Sequence, residues 1–387
     1  MEVILLGDYV LMNKTAELCD VEMEDGLAMK LSNVRVENEH LLPLGLRPPA
    51  RMGISKKAFN DWWRARRIPA SRDGINDLLQ VLQGLSLDSL AEKSLALSLS
   101  DQYWIRPTAD ITWESINFFT NEFSEDIGKL LVQNDWTGGS VVSPDNTSDG
   151  VLRKRWKIVD GVRCLLKGGS GPPWFAQPYR EVFASRIANL LFSPYADAST
   201  YVVPYILYIV EDAVFSRCPN FITADTEYVS FNQFHSSAYH KKPNQISYYQ
   251  QCKEIFGEFG HCLDLLLILD YIVLNEDRHY GNFGMIRDAN TGQLLRPAPV
   301  FDTGSSLFFD SMVMNLGRIE CKPFRKKFAE QIKLVDVSLY RDGVALVKDN
   351  YGSVFAEVFE SSYEDEKRKE RLQEIIGSQI DNLLTGD

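Results

Sequence analysis

The chain has 387 residues, 45% of them hydrophobic and 24% charged, a composition that suits a globular protein of two domains or a two-lobed enzyme with an appendage. Its formal net charge of −12 sets long-range repulsion against phosphate backbones and anionic lipid, which argues against direct nucleic-acid binding and a membrane-surface role. The most apolar stretch, residues 265–274, is too short to cross a bilayer, and the N-terminus lacks the basic-apolar-small order of a signal peptide.

Residues 1–50 read as short strands, such as 9–12 and 27–31, separated by acidic turns around residues 22–26. Residues 55–100 read as helical. Ser55 is placed to cap a helix carrying Phe59, Trp62 and Trp63 that ends by Pro69, and Ser71 precedes a Leu-rich pattern over 75–85. Nothing in residues 1–110 forms a chemical constellation, so this part is expected to be a binding or regulatory appendage. Two β-rich runs follow at 153–159 and 162–167, joined by Asp160-Gly161, a pair whose tolerance of positive φ signals a hairpin. Pro178 then opens a helix with Val182, Phe183, Ile187, Leu190 and Leu191 at helical spacing. Strand-like sequence returns at 201–210 and 213–216. Residues 247–274 carry apolar side chains on several faces, which predicts one buried central helix, and the tail after Asp302 is helix-rich, ending over 364–384.

The six cysteines (Cys19, Cys164, Cys218, Cys252, Cys262 and Cys321) include no CxxC pair and no histidines cluster with them. They read as reduced, buried thiols of a cytoplasmic protein rather than as zinc ligands or a disulfide framework.

Chemistry concentrates in LNEDRHYGNFGM, residues 274–285, where Asp277, Arg278, His279 and Asn282 crowd the end of the predicted central helix. Farther on, PVFDTGSSL (299–307) supplies Asp302 behind an apolar strand-like run. Each residue alone has an ordinary structural reading, as a helix-ending ion pair or a turn former. Together and in this order they suit phosphoryl transfer. One carboxylate orients an acceptor hydroxyl, while an amide oxygen and a second carboxylate hold Mg²⁺ against phosphates.

The DRHYGN core followed by VFDTGSSL resembles the catalytic and metal-binding loops of HipA-like serine/threonine kinases. That family is distantly related to eukaryotic protein kinases and to phosphatidylinositol 3- and 4-kinases, which share a similar DRH-x-x-N core. The resemblance is strongest over 160–310 and extends from about 137 to the C-terminus. It implies Asp277 as the catalytic carboxylate, with Asn282 and Asp302 as the Mg²⁺ ligands. It also calls for a strand lysine that meets the α- and β-phosphates of ATP and a helix glutamate that holds it. Lys167, ending the second hairpin strand, and Glu181, in the first turn of the next helix, stand in the required order.

Other implied roles are less anchored in motif. The phosphate-covering loop falls on TGGSVVSPDNTSDG (137–150), where Gly138, Gly139 and Gly150 would let the backbone approach phosphates and Ser148 would add a hydroxyl. Ser143, Thr147 or Ser148 is a candidate autophosphorylation site in the same loop. Backbone groups from Cys218 to Phe221 are expected at the adenine edge, and His279 is expected to be a buried residue that orients the catalytic loop. Arg278 would pair with a carboxylate or phosphate, and Asp270 would brace the loop or be an ordinary helix carboxylate. The basic run CKPFRKKF (321–328) reads as a solvated face with its phenylalanines in the core, or as a site for an acidic substrate.

The expected fold is α+β, a two-lobed protein-kinase-like architecture with a β-rich N-lobe (111–217), a helical C-lobe (218–387) and an N-terminal α/β appendage (1–110), with the nucleotide held in the cleft between the lobes. The expected function is ATP- and Mg²⁺-dependent phosphorylation of Ser/Thr hydroxyls on a protein substrate, with a regulatory or antitoxin partner. A lipid or small-molecule kinase and a catalytically silent nucleotide-binding module are the alternatives.

Overall fold

The computed structural model describes residues 6–24, 26–47, 53–82, 86–107, 110–133, 140–148, 150, 152–169, 176–211, 213–236 and 247–386. The elements begin with β1 (Leu6–Asn13), β2 (Ala16–Glu24), β3 (Leu27–Ser32), α1 (Lys56–Arg66), α2 (Ile75–Val81), α3 (Leu87–Lys93) and β4 (Tyr103–Arg106). There follow α4 (Trp113–Ile116), α5 (Asp126–Gln133), β5 (Lys154–Val159), β6 (Val162–Lys167), α6 (Gln177–Phe192), α7 (Ala198–Tyr201), β7 (Ile206–Val210) and β8 (Ala213–Pro219). The remainder is β9 (Thr226–Ser230), α8 (Phe231–Ser236), α9 (Tyr248–Phe256), α10 (Gly260–Val273), β10 (Gly284–Asp288) and β11 (Leu294–Pro297), then α11 (Phe328–Gln331), α12 (Arg341–Phe359) and α13 (Glu366–Thr385). Among the described residues, no helix is long and apolar enough to cross a membrane.

The chain divides into two compact units that are not consecutive in sequence. One comprises 1–166, 220–241 and 286–295; the other comprises 167–219, 242–285 and 296–387. In the first unit, β3-β2-β1-β4 form an antiparallel sheet with Leu11 opposite both Cys19 and Ile105. One face of this sheet buries Leu11, Cys19, Val21 and Met23 against Phe59 and Trp63 of α1. Ser55 caps that helix by accepting the Ala58 N–H, as its sequence position predicts. A second apolar core joins α2, α3 and α5 through Ile75, Leu78, Leu90, Ile127 and Leu131. Gly74 enters α2 with φ of 84°, and a Cβ there would stand 2.8 Å from the Leu131 carbonyl oxygen, so both the backbone angle and the space require glycine. The predicted hairpin is present: β5 and β6 are neighbours, and Asp160 and Gly161 both have positive φ, 52° and 78°.

In the second unit, α10 is buried along nearly its whole length, which is why its apolar residues occupy every face. The single helix expected over 247–274 is instead two, α9 and α10. Gly257 closes α9 with φ of 57°, and a short 3-10 turn intervenes before Gly260. The apolar pattern ran through this break because both helices are core elements, and glycine was the only marker of it. Helix α6 packs on α12 through Phe183, Phe355 and Phe359, and β7 pairs antiparallel with β8. Asp365 caps α13. Ahead of it, the buried Glu364 carboxylate takes Arg180 from α6 at 2.5 Å and Arg368 at 2.9 Å. Burial alone would raise the Glu364 pKa, but these two guanidinium groups hold it below the ordinary range. Arg180 also donates to the carbonyls of Ser306 and Leu307, and Arg368 to that of Phe308.

Candidate active site

The second unit places Lys167, Glu181 and Asp302 in one cluster. Lys167 is the last residue of β6, and its Nζ lies 3.0 Å from Glu181 Oε1 and 2.7 Å from Asp302 Oδ1. Glu181 is the fifth residue of α6, just past the first turn in which the sequence placed it, and Pro178 sits in that first turn, where no N–H is needed. The same Glu181 oxygen accepts the Thr303 N–H at 3.1 Å, so one carboxylate fixes both the lysine and the backbone next to Asp302. A Cβ at Gly304 would come 3.2 Å from Glu181 Oε2, a tight approach to the carboxylate that holds Lys167. Burial would depress the Lys167 ammonium, yet the Asp302 and Glu181 charges raise its pKa and keep it protonated. The Tyr205 ring lies under the ammonium at 5.4 Å, and the buried Cys218 is among the groups that act on it. One ammonium against two carboxylates leaves the cluster a formal charge of −1, with Asp302 about a third exposed and Glu181 sealed.

A second set of bonds builds the loop at the end of α10. The helix stops at Leu274 in the left-handed conformation, with φ of 52°. Asp270, fully buried in its last turn, takes Arg278 Nε at 2.9 Å, Arg278 Nη2 at 3.1 Å and Asn275 Nδ2 at 2.9 Å. Burial raises the Asp270 pKa, with the Arg278 charge acting in the opposite direction. Arg278 Nη1 donates to the carbonyls of Asn282 at 2.8 Å and Phe301 at 2.7 Å. One buried guanidinium thus ties together the helix end, the 277–282 loop and the residue before Asp302. Glu276 N–H adds a bond to Ser305 O at 3.1 Å, and the expected strand-like run at 299–301 makes a parallel bridge from Val300 to Val202. Asp302 itself adopts φ of 56°, a conformation aspartate tolerates better than most residues.

Within this loop the Asn282 amide group donates to the Asp277 carbonyl at 3.2 Å, which leaves its oxygen as the acceptor. His279 is not the buried residue expected from the sequence, since its side chain is 42% exposed. The loop is held by Arg278 instead, and the imidazole lies on its outer side. Its Nδ1 still accepts the Gly281 N–H at 3.0 Å, so in the neutral ring Nε2 carries the proton, 4.0 Å from Asp277 Oδ2. Asp277 is 44% exposed, and its Oδ1 meets Lys322 Nζ at 2.7 Å. The neighbouring Glu276 is pushed up to about 7 by burial, with the Asp310 and Asp277 charges adding to the shift.

The other residues singled out from the sequence are divided between the two units. Ser148 belongs to the first unit, in a compact 3-10 turn formed by residues 144–147. Its hydroxyl donates to the Asp145 carbonyl at 2.9 Å and accepts from Arg72 at 2.9 Å. Thr147 donates to Leu97 O and Ser143 to the Asp145 carboxylate, and all three hydroxyls are buried in this conformation. Gly138 and Gly139 lie outside the described residues. Phe221 is in the first unit, edge-on to Tyr228, while Cys218 is the penultimate residue of β8 in the second, beside Lys167. Sequence reading missed Tyr205, Glu276 and the Thr303 amide. Lys322 stood out only as part of a basic run.

The fold is a mixed α/β arrangement of antiparallel sheets and helices, and its second unit gathers a buried lysine, a helix glutamate and an aspartate beside a loop tied to the last turn of a buried helix. Among solved structures, the chain is similar to HipA of the Shewanella oneidensis MR-1 toxin–antitoxin system, from a complex of HipA, HipB and operator DNA. The match has 11% identity, covers 97% of this chain and 99% of that one, and has a TM-score of 0.53. It is also similar to a Helicobacter pylori proinflammatory kinase, CtkA, with 17% identity, 62% of this chain and 92% of that one covered, and a TM-score of 0.46. No protein-family model matches the sequence, and no curated protein matches it. At 11% identity the HipA likeness is one of fold, and it runs through nearly the whole of both chains: this protein has a HipA-like fold.

Proposed function

We propose that this chain is an ATP-dependent protein kinase of the HipA-like type, transferring the γ-phosphoryl group to Ser/Thr hydroxyls. The observation that carries the reading is the buried Lys167, paired at 3.0 Å and 2.7 Å with Glu181 and Asp302. Glu181 fixes the lysine in place, and the ammonium is the group that would meet the α- and β-phosphates. The Asn282 amide oxygen and the Asp302 carboxylate suit Mg²⁺, which favours hard oxygen donors and takes few of them from protein. Bound there, the ion would supply positive charge to the phosphate oxygens. Asp277, partly exposed on the braced loop, would accept a hydrogen bond from the acceptor hydroxyl and orient it.

Autophosphorylation in the 137–150 loop belongs to this proposal. Since Ser143, Thr147 and Ser148 are engaged internally, modification of any of them would require that turn to open. The HipA neighbour was determined with HipB and operator DNA, which supports an antitoxin-like protein partner for this chain. The test is incubation with labelled ATP and Mg²⁺, alone, with host lysate and with phosphoinositide vesicles. Label on protein is expected, and Asp277→Asn should remove it while nucleotide binding persists. Label on lipid alone would replace the protein-kinase reading with a lipid kinase. Nucleotide binding without any transfer would leave a silent regulatory module.

A further inference from the structure

The Lys322–Asp277 pair is open to water on both sides, 53% and 44% exposed, and an ion pair so solvated adds little to stability. The backbone that presents Lys322, by contrast, is built and fixed. The buried Gln331 donates from Nε2 to the Lys322 carbonyl at 2.8 Å and accepts the N–H groups of Phe324 and Arg325 at 3.0 Å and 3.3 Å. Cys321 N–H closes the turn on the Lys326 carbonyl at 3.0 Å. The Phe324 ring packs edge-on against Tyr280 and Phe283, which belong to the loop that carries Asp277. The turn is therefore locked onto that loop and delivers an ammonium group to it.

The surroundings need that charge. The charges of Asp310 and Asp277 both act on Glu276, and Lys322 is the cation that opposes them there. An anionic phosphoryl group approaching Asp277 would meet net repulsion without it. The two oxygens of Asp277 are also unequal. Oδ1 is held by Lys322 at 2.7 Å, while Oδ2 faces His279 Nε2 at 4.0 Å, beyond hydrogen-bond reach.

We propose that Lys322 is a catalytic residue of the transfer step: its ammonium holds Asp277 Oδ1 and contacts the oxygens of the migrating phosphoryl group, leaving Oδ2 to receive the hydroxyl proton. This rests on the kinase reading above. In that step the acceptor oxygen bonds to Pγ as its proton passes to Asp277 Oδ2. The bond from Pγ to the β,γ-bridging oxygen breaks, and the nucleoside diphosphate leaves with the electron pair.

The experiment uses the full chain with labelled ATP and Mg²⁺, and it follows both autophosphorylation and release of inorganic phosphate for wild type, Lys322→Met, Lys322→Arg and Asp277→Asn. Lys322→Met should lower kcat by about a hundredfold, as loss of one preorganised charge does, with KM for ATP changed less than about threefold. Its Tm should stay within about 1 °C of wild type because the pair is exposed, and Lys322→Arg should recover a substantial part of the rate. A Lys322→Met variant as fast as wild type, or faster as an inhibitory contact would make it, overturns the proposal while an inactive Asp277→Asn leaves the kinase reading standing. If wild type transfers nothing, or Asp277→Asn equals it, the kinase reading fails and this inference fails with it.

Discussion

Removing Asp270 tests whether the loop bearing Asp277 and Asn282 is braced from inside the second unit. Asp270 and Arg278 are both fully buried, and breaking such a pair from one side costs about 3–5 kcal/mol because a charge is left buried without its partner. Arg278 would keep the Asn282 and Phe301 carbonyls, so the expected loss for Asp270→Ala lies at the lower end, about 3 kcal/mol. That is a large share of a total stability of about 5–15 kcal/mol. Urea unfolding, followed by fluorescence, would show it as a lower midpoint; at a slope of about 3 kcal/mol/M the shift is about 1 M. Arg278→Ala and the double variant complete a cycle whose coupling should exceed about 1.5 kcal/mol, since the two side chains share two direct bonds. A single-variant loss below about 1 kcal/mol, or a coupling below about 0.5 kcal/mol, would refute the idea that this pair organises the loop.

Two further outcomes follow from buried groups. Lys167→Met should abolish phosphoryl transfer and lower Tm, because Glu181 is left 1% exposed with its cation gone; adding Glu181→Gln should restore much of the Tm without restoring transfer. Recovery of activity in that double variant would remove the phosphate-binding role of Lys167. In the first unit, Asp145 is pushed up to about 7 by burial, against the Trp156 N–H, Ser143, Arg72 and Arg155. Its native pKa exceeds its unfolded one, so the native state binds the extra proton between about pH 4 and 7 and stability falls as pH rises through that window. Asp145→Asn should flatten this part of a Tm-versus-pH curve, and an unchanged slope would show that Asp145 does not control it.

Much of the fold could be read from local chemistry. Ser55 as a cap, Asp160-Gly161 as a hairpin turn and Pro178 as a helix start are all decided within a few residues, and the structure has each of them. The order of Lys167, Glu181, Asp277, Asn282 and Asp302 was equally visible, as was the pairing of Glu181 with Lys167, although the Lys167–Asp302 contact was not. That Glu181 serves both Lys167 and the Thr303 amide depends on the path of the chain between them, which no local pattern encodes. His279 shows the reverse error. A histidine in a crowded loop reads as buried, yet Arg278 fills the interior and displaces it outward. Ser143 and Ser148 looked like loop hydroxyls because Pro, Asp, Asn and Gly surround them. Ser148 is engaged by Arg72, far earlier in the chain, and Ser143 by the buried Asp145 carboxylate.

The Arg180–Glu364–Arg368 cluster has a consequence for how the chain can be cut. Its two guanidinium groups grip the backbone from 306 to 308, immediately downstream of the DTG segment, and their shared anion comes from the residue before the cap of the last helix. A C-terminal deletion that took Glu364 would take Arg368 with it, strand Arg180 in the interior and release that backbone. Glu364 is thus a keystone for chemistry encoded some sixty positions earlier. A fusion placed after Gly386 would spare the cluster, whereas trimming α13 back past Arg368 would not.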